Sequence, residues 1–162
     1  MAKTVVALPS KLHKPVHKIE PAPALYRLLT DSALSRAALG ACGFPVAMLD
    51  ARTGSRPVTY VNAAFEGFFG YRAGEVLGRP LAALLFHGDE ALVHRLLAES
   101  SSRWKLRAWG KDGAIRHVEI SFGAVHSAEG ELTHWVVAFA DRSEVEKLRA
   151  ELEGLKALAA AP

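Results

Sequence analysis

The sequence predicts an α+β domain: one antiparallel sheet with helices segregated to one face. Three observations carry that reading. The last third of the chain alternates apolar and polar residues through three consecutive stretches, 104–109, 117–122 and 134–139, with "GKDG" and "SAEGE" as turns between them. Two earlier runs, "FPVAMLD" and "PVTYV", read as strands joined by the turn "ARTGSR". Between these two groups, residues 62–97 change to helical spacing with helix-capping residues.

Each element follows from its residues. Residues 1–23 form a basic tail ending in the Pro-rich "EPAPAL", where helix is disfavoured until Pro23 is passed, and the composition predicts disorder. Residues 24–40 place Leu25, Leu28, Leu29, Leu34 and Leu39 among small and polar residues, a predicted flanking helix. Asn62 is a good N-cap for a short helix through Phe68. Short helical turns follow to about Leu85. Asp89 then caps an amphipathic helix whose apolar face is Leu92, Val93, Leu96 and Leu97. After the last strand, Ser143 and Glu146 have capping-box spacing. Residues 142–160 read as a coiled-coil helix, because Val145, Leu148, Leu152, Leu155 and Ala159 step by alternating threes and fours.

The bulk numbers exclude several classes. A chain of 162 residues, 50% hydrophobic and 23% charged, has the composition of a globular domain with appendages. No apolar run reaches the ~20 residues that span a bilayer, and "TVVAL" before Pro9 is too short for a signal-peptide core. The single cysteine, Cys42, excludes an internal disulfide and fits a reducing compartment. A cytoplasmic location is the expectation. Lys3, Lys11, Lys14 and Lys18 against Glu20 account for the whole net charge of +3, so the body is neutral and nucleic-acid binding is not indicated. The seven histidines show no metal-ligand spacing, and no nucleophile, base and orienter come together in a recognisable order. Neither a metal site nor an enzyme is expected.

"YVNAAFEGFFGYRAGEVLGR" after the second strand, with "KDG" before the fourth, resembles a PAS domain over residues 41–141. Within that family it is similar to the light–oxygen–voltage (LOV) branch, including short bacterial proteins that end in one coiled-coil helix. The resemblance implies a five-stranded sheet cupping a small-molecule pocket, used for sensing and signal relay, with a downstream signalling protein as partner. It also locates a flavin site, and there the chain departs from the pattern. Pro80 stands in place of a flavin-contacting Asn, Leu81 in place of the adduct-forming Cys, Ala82 in place of a phosphate-binding Arg, and Leu85 in place of a Gln. Ala108 and Val118 replace two further Asn residues, and Phe139 replaces the Gln whose hydrogen bonds switch. Burying a flavin edge atom unpaired costs about 1–3 kcal/mol. Four such losses remove most of the roughly 8 kcal/mol of a micromolar complex. The expectation is a protein without flavin and without LOV photochemistry. Haem would need an axial ligand such as a histidine on the helix after the flavin loop. His94 lies there but on its polar flank, so haem is not expected either.

Two readings of the remaining residues stay open. Leu81, Leu106, Ala108, Val118, Ile120, Phe122, Val137 and Phe139 share a face, and they suit either a closed apolar core or a cavity for a small apolar ligand. Strand alternation sends Trp109, His134, Val136 and Ala138 to the opposite face, too apolar to be left in water as a broad patch. That face, with the seam Val145, Leu148, Leu152 and Leu155, predicts a homodimer.

Overall fold

The computed structural model describes residues 32–160. The basic tail, residues 1–23, and the first part of the predicted flanking helix lie outside the described residues. The first described helix, α1, spans Ser32–Ala41. Strands β1 (Val46–Asp50) and β2 (Val58–Val61) follow as an antiparallel pair. Four short helices come next: α2 (Ala63–Phe69), α3 (Ala73–Val76), α4 (Leu81–Leu85) and α5 (Glu90–Ala98). Strands β3 (Trp104–Trp109), β4 (Ile115–His126) and β5 (Leu132–Asp141) complete the sheet, and α6 (Ser143–Ala159) leaves it. The architecture is the α+β one: a five-stranded antiparallel sheet in the order β2-β1-β5-β4-β3, with helices packed on one face.

Strand order matters for the site. The last strand, β5, lies in the centre, between β1 and β4, so the end of the chain closes the sheet against its beginning. Val137 faces Ala47 across this pairing and Phe122 on the other side, while Phe139 faces Ile120. One face of the sheet is thereby set to Ala47, Leu49, Ala108, Val118, Ile120, Val137 and Phe139, all buried.

Asn62 ties the sheet to the helices. Its Oδ1 accepts from the Phe65 N–H at 2.9 Å, which caps α2, and from the Val46 N–H, also at 2.9 Å, which fixes the start of β1. Its Nδ2 donates to the carbonyls of Leu39 and Phe44 at 3.1 and 3.0 Å. It is 2% exposed, the buried polar residue of the core, and its amide is fully used. Asn62 was legible as a cap, but its bonds to Val46, to Leu39 in α1 and to Phe44 were not.

α2 ends at Gly70, whose φ of 77° is the left-handed conformation that favours glycine at a helix end. The β3–β4 turn docks on that end. The Lys111 N–H donates to the Phe69 carbonyl at 2.8 Å, Arg116 Nε donates to the Phe68 carbonyl at 2.6 Å, and Lys111 pairs with Glu75. Gly113, at φ 77°, makes the turn. On α5, Asp89 accepts from the Leu92 N–H at 2.8 Å, and Val93, Leu96 and Leu97 are buried as their spacing predicts.

Two elements differ from the sequence reading. β4 continues four residues past the alternating stretch that ends at Phe122, through Gly123, Ala124 and Val125 to His126. Gly123 and Ala124 are exposed on either face, so no period of two marks them. The capping box at Ser143 and Glu146 is not formed. The helix starts one residue earlier, with Arg142 as cap, and the Glu146 carboxylate accepts from Arg149 at 3.2 Å instead. Asp141 supplies the missing acceptor, taking the Ser143 N–H at 2.9 Å.

Candidate functional site

The space between sheet and helices is filled with aromatic rings. Phe65 and Phe69 lie four apart on α2 and share its buried face. Their ring centroids are 4.8 Å apart, and they lie 5.9 and 5.1 Å from that of Phe139 on β5. Phe68 adds an edge-on contact to Phe69 at 4.8 Å, with the Arg116 guanidinium 5.7 Å from its ring centroid. Leu81 enters from α4, positioned by the Val58 N–H donating to the Arg79 carbonyl at 2.9 Å. Leu81, Ala108, Val118, Ile120, Val137 and Phe139 are each at most 1% exposed. Leu106 and Phe122 are half-buried and pack on the edge of this cluster. All eight candidate pocket residues therefore meet on one face. They belong to one buried hydrophobic cluster or pack against it, and each large apolar side chain in it contributes about 1.5–3 kcal/mol.

Sequence reasoning missed the two α2 rings, although "AAFEGFF" shows their four-residue spacing plainly. It also missed Arg116, a cation on the inner face opposite Ala108. Its side chain is usable there because it meets the Phe68 carbonyl and Asp112. Hydrogen bonding to Arg116 holds the Asp112 carboxyl down to about 2. The Glu75 carboxyl is likewise held below the ordinary range, first by its bond to Lys111.

The outer face is different in kind. Val136 and Ala138 are half-buried on β5, opposite Met48 and Val46 of β1, with His134 opposite Asp50. A Cβ at Gly40 would sit 3.7 Å from the Tyr60 hydroxyl, so the end of α1 reaches the β2 edge of this face. Trp109, at the end of edge strand β3, has other company: its ring lies 4.2 Å from that of His87, which comes from the loop after α4. His87 has a φ of 51°, a left-handed conformation uncommon outside glycine. His94 is exposed on α5. α6 buries none of its residues. Val145, Leu148, Leu152 and Leu155 are 36%, 57%, 52% and 65% exposed, and Leu158, which the seam reading left out, is 76% exposed.

Residues 36–142 match the family model described as the PAS fold. The chain belongs to the PAS family. Among curated relatives, this PAS domain is 36% identical over 92 residues to Adagio-like protein 3 of Oryza sativa subsp. japonica, covering 48% of this chain and 15% of that protein. It is 28% identical over 106 residues to a blue-light-activated histidine kinase of Brucella ovis, covering 62% and 22%. It is 26% identical over 133 residues to the bacterioopsin transcriptional activator of Halobacterium salinarum, covering 79% and 19%. The chain thus spans less than a quarter of the length of these relatives. Among solved structures, an RNA-binding light–oxygen–voltage receptor superposes with a TM-score of 0.68 at 24% identity, covering 96% of this chain and 42% of that one. The LOV protein of Rhodobacter sphaeroides superposes with a TM-score of 0.58 at 16% identity, covering 67% and 65%. The fold of the PAS domain is that of LOV domains. Among the described residues, no helix is long and apolar enough to cross a membrane.

Proposed function

We propose that this PAS domain is a non-photoactive signal-relay module: it works as a homodimer, turns over no substrate, and takes its input from a partner rather than from flavin. The family and the LOV-like fold support a sensory role. The observation that carries the rest is Phe139. It stands where the LOV resemblance puts the switching glutamine, and its ring packs against Phe65 and Phe69 in the volume between sheet and helices. Leu81, Ala108 and Val118, at the other flavin-contacting positions, are buried in the same cluster. A flavin would have to displace these side chains and would find no amide partner there. The exposed His94 offers haem no interior ligand. A filled interior favours input by partner contact over capture of an apolar metabolite. The outward seam of α6 favours output through paired helices.

The visible absorption spectrum of the purified protein, in darkness and after blue illumination, tests this reading. The expected result is no flavin band and no light-induced change. A flavin band that bleaches and recovers would overturn it.

A further inference from the structure

A cleft of about 370 Å³ opens where α6 leaves the sheet, away from the packed interior. Its walls carry Lys105 and Arg107 of β3, His117 of β4, and Arg142, Glu146 and Arg149 at the start of α6. Four of these are permanent cations and one is a carboxylate. The excess is local, because residues 21–162 as a whole carry equal numbers of basic and acidic side chains. The single carboxylate is already engaged, accepting from Arg149 Nη1 at 3.2 Å. Glu119, the next acid along β4, lies 3.6 Å from Arg103. The side chains of Lys105, Arg107 and Arg142 have no hydrogen bond or ion pair among the described residues. Arg142 goes further: its Nε is buried and without a hydrogen-bond partner, a donor stripped of water and not repaid by the protein.

The backbone holds these groups together. Arg107 sits directly opposite His117 in the β3–β4 ladder, and the Arg142 N–H donates to the His117 carbonyl at 2.8 Å. One wall is therefore sheet and the other is the first two turns of α6. Guanidinium groups on both walls suit phosphate oxygens, which they meet in paired hydrogen bonds. A phosphate monoester carries about two charges, and a diphosphate approaches the three-charge excess more closely. The volume lies within the roughly 300–1,000 Å³ of small-molecule sites. No Phe, Tyr or Trp lines the cleft, so the stacking that single-stranded nucleic acid uses has no platform.

We propose that this cleft binds a small diphosphate-bearing ligand, which bridges Lys105 and Arg107 on the sheet to Arg142 and Arg149 on α6. This goes beyond the relay reading, since the site lies outside the interior and stands whatever the interior holds. Its consequence is a ligand-dependent grip on the base of the output helix.

Isothermal titration calorimetry of the full chain at low ionic strength tests it, with sodium pyrophosphate and ADP as separate probes. The expected result is saturable binding at one site per chain, weakened by added salt. Arg107→Gln and Arg142→Gln should each weaken it about tenfold or more, the scale of one charge-assisted hydrogen bond. Arg107 is exposed, so its variant keeps the fold even if the Arg142 variant does not. Arg95→Gln, exposed on α5, should change nothing. Equal affinities for the two probes would mean that the diphosphate alone is read, and tighter ADP binding would add a nucleoside contact. No saturable binding of either probe, or unchanged affinity in Arg107→Gln, would overturn the proposal. So would a single-stranded RNA that binds where pyrophosphate does not.

Discussion

The two faces of the sheet, built from alternate residues of the same strands, have opposite characters. On the inner face, Val137 and Phe139 are at most 1% exposed and belong to a cluster of aromatic and aliphatic side chains. On the outer face, their neighbours Val136 and Ala138 are only half-buried, and α6 carries its leucines into solvent. One residue of register separates a surface that has finished its contacts from one that has not. Under the proposed relay reading, the signal is received and passed on the outside. The difference between the faces is one of packing, and the proposed function rests on it.

Substitutions on the two sides should separate these roles. The largest expected effect is inside. Phe69→Ala removes a ring with no exposure that touches Phe65, Phe68 and Phe139, and should cost about 3–5 kcal/mol in denaturant unfolding. A loss below about 1 kcal/mol would show that the interior is a loose cavity. Asn62→Ala comes next. It leaves the N–H groups of Val46 and Phe65 without their acceptor and should cost about 2–3 kcal/mol in the same experiment.

Outside, the same measurement should barely respond while assembly does. Leu148→Ser with Leu152→Ser alters two exposed residues and should leave monomer stability within about 0.5 kcal/mol. Sedimentation should nonetheless show the dimer weakened. A destabilised monomer with unchanged assembly would place the seam against its own domain. The smallest effect is electrostatic. Asp112, bonded to Arg116, has its carboxyl held at about 2, below its ordinary 3.8. A lowered folded value contributes stability above the unfolded one and loses it as pH falls towards about 2. Asp112→Asn should therefore lie below the unmodified protein near neutral pH, and the gap should close between about pH 4 and pH 2. A gap independent of pH would mean that the carboxylate's charge plays no part.

How much was legible in the sequence follows from the range of the interactions. Caps at Asn62 and Asp89 and the buried face of α5 depend on neighbours within four residues, and they could be read directly. The alternation of β3 and β5 was equally plain, because each has one buried and one open face. The Ser143–Glu146 cap was misread because Asp141, two residues earlier, competes for the same N–H. The basic cleft was not legible at all. Lys105, Arg107, Arg142 and Arg149 are dispersed in a neutral body, and only the closing of β3 and β4 against the start of α6 gathers them. The LOV resemblance named Leu81, Ala108, Val118 and Phe139, strand alternation added Leu106, Ile120, Phe122 and Val137, and neither pointed to Phe65 and Phe69 on the facing helix.

Native mass spectrometry of the untagged protein tests the contrast between a closed inside and a joined outside in one spectrum. The account predicts a species of twice the 17.4 kDa chain mass with no flavin or haem added. A 17.4 kDa monomer would contradict the joined exterior, and a dimer carrying the mass of a flavin in each chain would contradict the closed interior.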